Sequence, residues 1–137
     1  MVGFLLVTHG ELGQSLLEAA GMLGAETGEI TALGLGHTEG PEEFEERLRF
    51  AVREADQGEG VVALVDLFGG TPFNTAFRIA QEYPLSIVTG ISLPVVLAAI
   101  LETEEKETRE ETARRLSAAG REQINVYGRM TVEERLL

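Results

Sequence analysis

The chain has 137 residues, a formal net charge of -12 and no cysteine. That length fits one domain, residues 1–137, burying roughly two thirds of its unfolded surface. The acidic balance excludes nucleic acid as a partner, since phosphate backbones need Lys and Arg patches. It also disfavours anionic membrane surfaces, and it suits a partner with a basic docking face. Without cysteine there is no disulfide or thiolate chemistry. No basic leader precedes the first apolar run, and no run reaches the ~18 residues of a membrane span, so a cytoplasmic location is expected.

In chain order, residues 3–8 read as a first strand, ended by His9-Gly10. Leu12, Leu16, Ala19, Ala20 and Leu23 recur at helical spacing over residues 11–24. Residues 30–35 read as a second strand. Pro41 opens a second helix with Glu42 and Glu43 in its first turn, where negative charge suits the dipole. Phe44, Leu48, Ala51, Val52 and Ala55 supply its buried face.

The stretch Val61-Val-Ala-Leu-Val-Asp66-Leu-Phe-Gly-Gly70-Thr-Pro-Phe-Asn74 organises the chain. Its apolar half reads as a central strand covered on both faces. Thr71 is expected as N-cap and Pro72 as first residue of the next helix, with Phe73, Ala76, Phe77 and Ala80 facing inward. Gly69 and Gly70 allow a sharp turn that exposes backbone N–H groups, a cradle for an anion such as phosphate. Residues 85–91 form a fourth strand. Ser92-Leu-Pro94 opens a long helix whose charged middle is either a solvated face or a break. Pairs such as Glu105/Arg109, Glu110/Arg114 and Glu111/Arg115 support it, and Gly120 stops it. Residues 123–127 alternate polar and apolar, like a half-buried edge strand.

Alternating strands and helices predict an α/β fold, a doubly wound, mainly parallel sheet with helices on both faces. In the common order 2-1-3-4, strands 1 and 3 flank the switch point where such sheets bind ligands. His9 and Asp66 then end neighbouring strands and face one crevice. An Asp accepting from His Nδ1–H leaves Nε2 free as a nucleophile or base.

No phosphate-binding loop with Lys-Ser/Thr and no G-x-S-x-G elbow occurs. Two histidines and no cysteine are too few for a good zinc site, so neither metal nor cofactor is expected. A histidine beside a phosphate cradle fits covalent catalysis through phosphohistidine, with a phosphorylated protein as donor.

Three motifs, Val2-Gly-Phe-Leu-Leu-Val-Thr-His9-Gly10, the segment from Val65 to Asn74, and Ser92-Leu-Pro94, resemble the IIA domain of the mannose (mannose–fructose–sorbose) family of the bacterial sugar phosphotransferase system. The resemblance covers nearly the whole chain. It implies a homodimer whose C-terminal strand, residues 122–127, is exchanged onto the partner's sheet edge as an antiparallel edge strand. His9 matches the phosphorylated histidine, Asp66 the acid that hydrogen-bonds it, and Thr71 the hydroxyl residue near the phosphoryl group, beside Gly69 and Gly70. The implied donor is phospho-HPr. The acceptor is a IIB domain or subunit, linked indirectly to membrane IIC and IID subunits. The family's third motif usually reads Asn-Leu-Pro-Met, and here Ser92 and Val95 depart from it. Other readings are a regulatory phosphohistidine module without a transporter, a histidine phosphatase or mutase, and a flavodoxin-like cofactor binder. Thr8 in place of an arginine argues against the phosphatase, and the lack of a flavin-sandwiching aromatic pair against the last.

Overall fold

The computed structural model describes residues 1–102, 106–129 and 133. Four strands, β1 (Gly3–His9), β2 (Thr31–Leu35), β3 (Val61–Val65) and β4 (Leu85–Thr89), form one sheet in the order β2-β1-β3-β4. All pairings are parallel. Between and after them run α1 (Leu12–Met22), α2 (Pro41–Ala55), α3 (Gly70–Ala80), α4 (Leu93–Leu101) and α5 (Arg109–Glu122). The expected α/β class and strand order are both present.

Strand alternation sorts the core into two layers. Phe4, Leu6, Val62, Leu64 and Val88 enter one face, against Leu17 and Ala20 of α1, Val95, Val96 and Ala99 of α4, and Leu116 of α5. Leu5, Val7, Val61, Ala63 and Val65 enter the other, against Phe44, Leu48 and Val52 of α2 and Ala76 and Ile79 of α3. β3 is buried along its whole length, which explains its unbroken apolar run. Arg78–Glu45 and Arg49–Glu82 ion pairs, at 2.7 and 2.9 Å, tie α2 to α3 and to the turn that follows it at the surface. The two arginines hold the Glu45 carboxyl below its ordinary range, Arg78 more strongly.

The structure departs from expectation in α3 and at the C-terminal end of the last helix. α3 is capped by Gly69, not Thr71, and Pro72 is its third residue, still among the positions whose N–H has no helical partner. Phe77 is 53% exposed rather than inward. Of the two readings of the last helix's charged middle, the structure has the break, and two helices stand there. Thr108 ends the break with a capping box, its hydroxyl accepting from Glu111 N–H at 3.1 Å and its own N–H donating to Glu111 Oε1 at 3.0 Å. Glu111 is thus a cap rather than a partner for Arg115, which pairs with Glu107 at 2.8 Å. Glu105 lies outside the described residues, and α5 runs past Gly120 to Glu122. In the single chain, residues 124–128 join no strand of the sheet. Val126 is 96% exposed. Among the described residues, no helix is long and apolar enough to cross a membrane.

The turn from β1 into α1 sets the rim of the sheet. Thr8 is fully buried and its Oγ1 accepts from Gly13 N–H, in the first turn of α1, at 3.0 Å. Glu11, at the N-cap, makes no side-chain bond to the helix. Thr8→Val keeps the shape of the side chain but removes the acceptor, leaving a buried N–H unpaired. It is expected to lower stability by about 1–2 kcal/mol, read by urea unfolding.

Candidate functional site

The site lies at the C-terminal ends of β1 and β3, which pair from Gly3↔Val61 to Val7↔Val65. This register carries His9 and Asp66 past the last paired residues side by side. Asp66 Oδ2 accepts twice from His9, from the backbone N–H at 3.0 Å and across a 3.0 Å contact with ring Nδ1. A carboxylate oxygen already accepting from the main chain requires a donor on the ring, so the neutral ring carries its proton on Nδ1, the tautomer whose lone pair lies on Nε2. The Asp66 side chain is 10% exposed and the His9 side chain 48%. The acid is thus sheltered, while the ring it holds reaches solvent.

The free edge of the ring faces the start of α3. Gly69 and Gly70 have φ of +84° and +77°, a backbone region that side chains disfavour. A Cβ placed on Gly70 would stand 3.4 Å from both Cε1 and Nε2 of His9. That is ordinary contact, so the positive φ rather than lack of room calls for glycine there, and the imidazole lies close to the turn. No side chain caps α3, so the N–H groups of its first turn remain available beside Nε2, an arrangement that favours an anion. Thr71 lies in that first turn. The predicted residues His9, Asp66, Gly69, Gly70 and Thr71 are thus gathered at one rim. Among the described residues, no group of three or more His, Cys, Asp and Glu side chains is placed to hold a metal ion.

Sequence reasoning missed three parts of this rim. Thr8, discussed above, anchors the turn that carries His9. Phe68, 75% exposed, packs against Phe73 with ring centroids 4.8 Å apart, and Phe73 stacks on Phe77 at 5.7 Å. With exposed Leu67 this makes an apolar ridge beside the histidine. The clue was two large apolar residues in a glycine turn, where no helix or strand could bury them. Arg47 is the third. It pairs with Glu39 at 2.7 Å and donates to the Gly34 carbonyl at 3.3 Å, near the end of β2. Its hydrogen bond holds the Glu39 carboxyl below the usual range, helped by Gly36 N–H.

On the far side of the rim, a groove of about 650 Å³ runs along the open edge of β4. Ile87, Thr89 and Ser92 line one wall, and Leu116, Gly120 and Arg121 the other.

Residues 3–116 match the family model EIIA-man, described as PTS system fructose IIA component. The chain is 30% identical over 101 residues to the PTS system fructose-specific EIIA component of Bacillus subtilis (strain 168), covering 73% of this chain and 69% of that protein. It is 25% identical over 134 residues to the PTS system mannose-specific EIIAB component of Escherichia coli (strain K12), spanning 97% of this chain but 42% of that longer protein. Among solved structures, the mannose/sorbose specific IIA subunit of the phosphotransferase system from Enterococcus faecalis superposes with a TM-score of 0.85 at 24% identity, covering 96% of this chain and 98% of that one. The PTS IIA protein associated with the fucose utilization operon from Streptococcus pneumoniae gives 0.77 at 26% identity over the full length of both chains.

The glycine at position 70 makes a sharp test of this geometry. Gly70→Ala is expected to lower stability by about 1–2 kcal/mol through its positive φ, measured by urea unfolding. The added methyl also stands against Nε2, so His9 should react more slowly with diethyl pyrocarbonate, while His37 in the same sample keeps its rate.

Proposed function

The chain belongs to the mannose family of IIA components of the sugar phosphotransferase system, and we propose that His9 is the residue on which it carries the phosphoryl group. A IIA component of this family is a phosphotransferase, a phosphoryl carrier within a sugar phosphotransferase system. The observation that supports His9 is its ring, fixed at Nδ1 by Asp66 Oδ2 at 3.0 Å with Nε2 against the glycine turn.

In this reading the Nε2 lone pair attacks phosphorus on phospho-HPr. The Nε2–P bond forms as the donor's P–N bond breaks, and HPr leaves with its imidazole restored. Positive charge that develops on the His9 ring is offset by Asp66, and the Nδ1 proton stays in place. N–H groups of Gly70 and Thr71 face the phosphoryl oxygens, and the turn at Gly69 lets the main chain approach. The second half runs in reverse, to a nucleophile on a IIB domain or subunit, and membrane IIC and IID subunits use the group beyond that. Residues 1–137 serve as one cytoplasmic IIA unit. The apolar ridge of Leu67, Phe68 and Phe77 and the acidic net charge of -12 both suit partners that present an apolar patch rimmed by basic residues. The names of the relatives as phosphotransferase components favour this carrier over a module phosphorylated only as a signal.

The same reading includes a homodimer. Ile124 and Val126 are exposed in the single chain, and the open β4 edge has a groove beside it. An edge strand with unpaired N–H and C=O groups is a template for another chain. Residues 123–127 of each protomer would lie along the β4 edge of the other.

Incubation with phosphoenolpyruvate, enzyme I and HPr is expected to add one acid-labile phosphoryl group, mapped to His9 by mass spectrometry. His9→Ala should take up none while remaining folded, and label on that variant would refute the assignment. Asp66→Ala should slow uptake about 10- to 100-fold without abolishing it, through loss of ring orientation. For the dimer, removal of residues 123–137 is expected to turn a dimer into a monomer in sedimentation velocity. An intact chain that sediments as a monomer would remove that part of the reading.

A further inference from the structure

Two buried oxygen atoms at the rim lack a hydrogen-bond partner among the described residues, Asp66 Oδ1 and Ser92 Oγ. Buried polar atoms are satisfied as a rule, so each such exception calls for a reason. Both bonds from His9 go to Oδ2 of Asp66, leaving Oδ1 with neither. Ser92 stands at the N-cap position of α4, yet its hydroxyl makes no bond to that helix. The usual use of a serine there is therefore absent.

The backbone brings the two residues together. Val65 pairs with Thr89 across β3 and β4. Beyond the strand ends, Ile91 N–H donates to the Val65 carbonyl at 3.4 Å. Asp66 and Ser92 are the next residues along from that bonded pair. They also share a face of the sheet. α4 packs on the layer entered by Val62 and Leu64, and Asp66 follows these two in the alternation. The first turn of α4 has no side-chain cap, so its N–H groups add a favourable field for a carboxylate.

We propose that Ser92 is a positioning residue for the phosphoryl transfer, its hydroxyl donating to a water that in turn donates to Asp66 Oδ1. The bridge pins the second oxygen of the carboxylate, so that Oδ2 keeps its hold on His9 and Nε2 keeps its aim. A single water satisfies both orphan atoms, since it accepts from one and donates to the other. Ser92 touches neither the phosphoryl group nor its partners and acts only through Asp66. The inference rests on the reading of His9 as the phosphoryl acceptor.

The test compares Ser92→Ala and Ser92→Thr with the unaltered chain. Two quantities are read on the ¹⁵N-labelled full chain: the His9 ring ¹⁵N and Nδ1–H signals by NMR, and the initial rate of phosphoryl uptake from phospho-HPr. Ser92→Ala is expected to shift the His9 ring signals and slow uptake about 3- to 10-fold. Ser92→Thr, which keeps the hydroxyl, is expected to return both towards the starting values. Unchanged ring signals in Ser92→Ala overturn the inference, even if uptake slows, because the loss then arises in the β4 groove or in docking. Failure of Ser92→Thr to restore the signals also overturns it. If the unaltered chain takes up no phosphoryl group, the carrier reading of His9 fails. The ring signals still decide whether Ser92 holds Asp66.

Discussion

The site depends on one oxygen atom. Asp66 Oδ2 bonds both the main chain and the ring of His9, each at 3.0 Å. The first bond fixes where the residue sits, and the second fixes how its ring is turned and which nitrogen carries the proton. Neither works unless β1 and β3 are neighbours, although β2 lies between them in the chain. The His9–Asp66 pair therefore depends on the crossover that puts β2 outside β1. This crossover opens the crevice and at the same time brings the acid to the histidine.

Around that oxygen, the two core layers have different tasks. The layer with α2 and α3 bears on the free edge of the ring, because α3 begins at the glycine turn beneath Nε2. The layer with α1, α4 and α5 bears on the other side of the pair. Thr8 ties α1 to the strand that ends in His9, and the start of α4 stands next to Asp66 through the Ile91–Val65 contact. Stiffness in both layers matters more than affinity for any single group, since a loosely held imidazole loses much of the advantage of orientation.

Much of this was legible in the sequence. The unbroken apolar run of β3, the His-Gly end of β1 and the glycine pair after Asp66 gave strand order, crevice and cradle, because each reports a backbone need that few residue types meet. What escaped depended on surroundings that local pattern does not encode. Thr71 and Pro72 look like the start of a helix, yet two consecutive positive φ angles at Gly69 and Gly70 let the first turn form earlier. Phe77 fits an inward helical face by spacing, but it stacks on Phe73 at the surface instead. The break before α5, one of the two readings the charged stretch allowed, is fixed by a reciprocal Thr108–Glu111 cap, a signal the surrounding charges obscured. Residues 123–127 alternate like a strand, and no strand of their own sheet receives them; alternation reports a pleated surface without naming the chain that supplies the partner.

The half-exposed ring has a consequence for traffic through the site. If His9 carries the phosphoryl group, its half-exposed ring and the apolar ridge beside it offer one face to every protein that exchanges the group. Donor and acceptor then exclude each other, and each round requires a departure before the next arrival. Tight association would stall the carrier, whatever the speed of the chemistry. Stacked phenylalanines give contact area without the directional hydrogen bonds that lengthen residence, so such a face favours brief encounters. The ceiling on flux then lies in how quickly each visitor lets go, and selection on this surface would act against grip as much as for it.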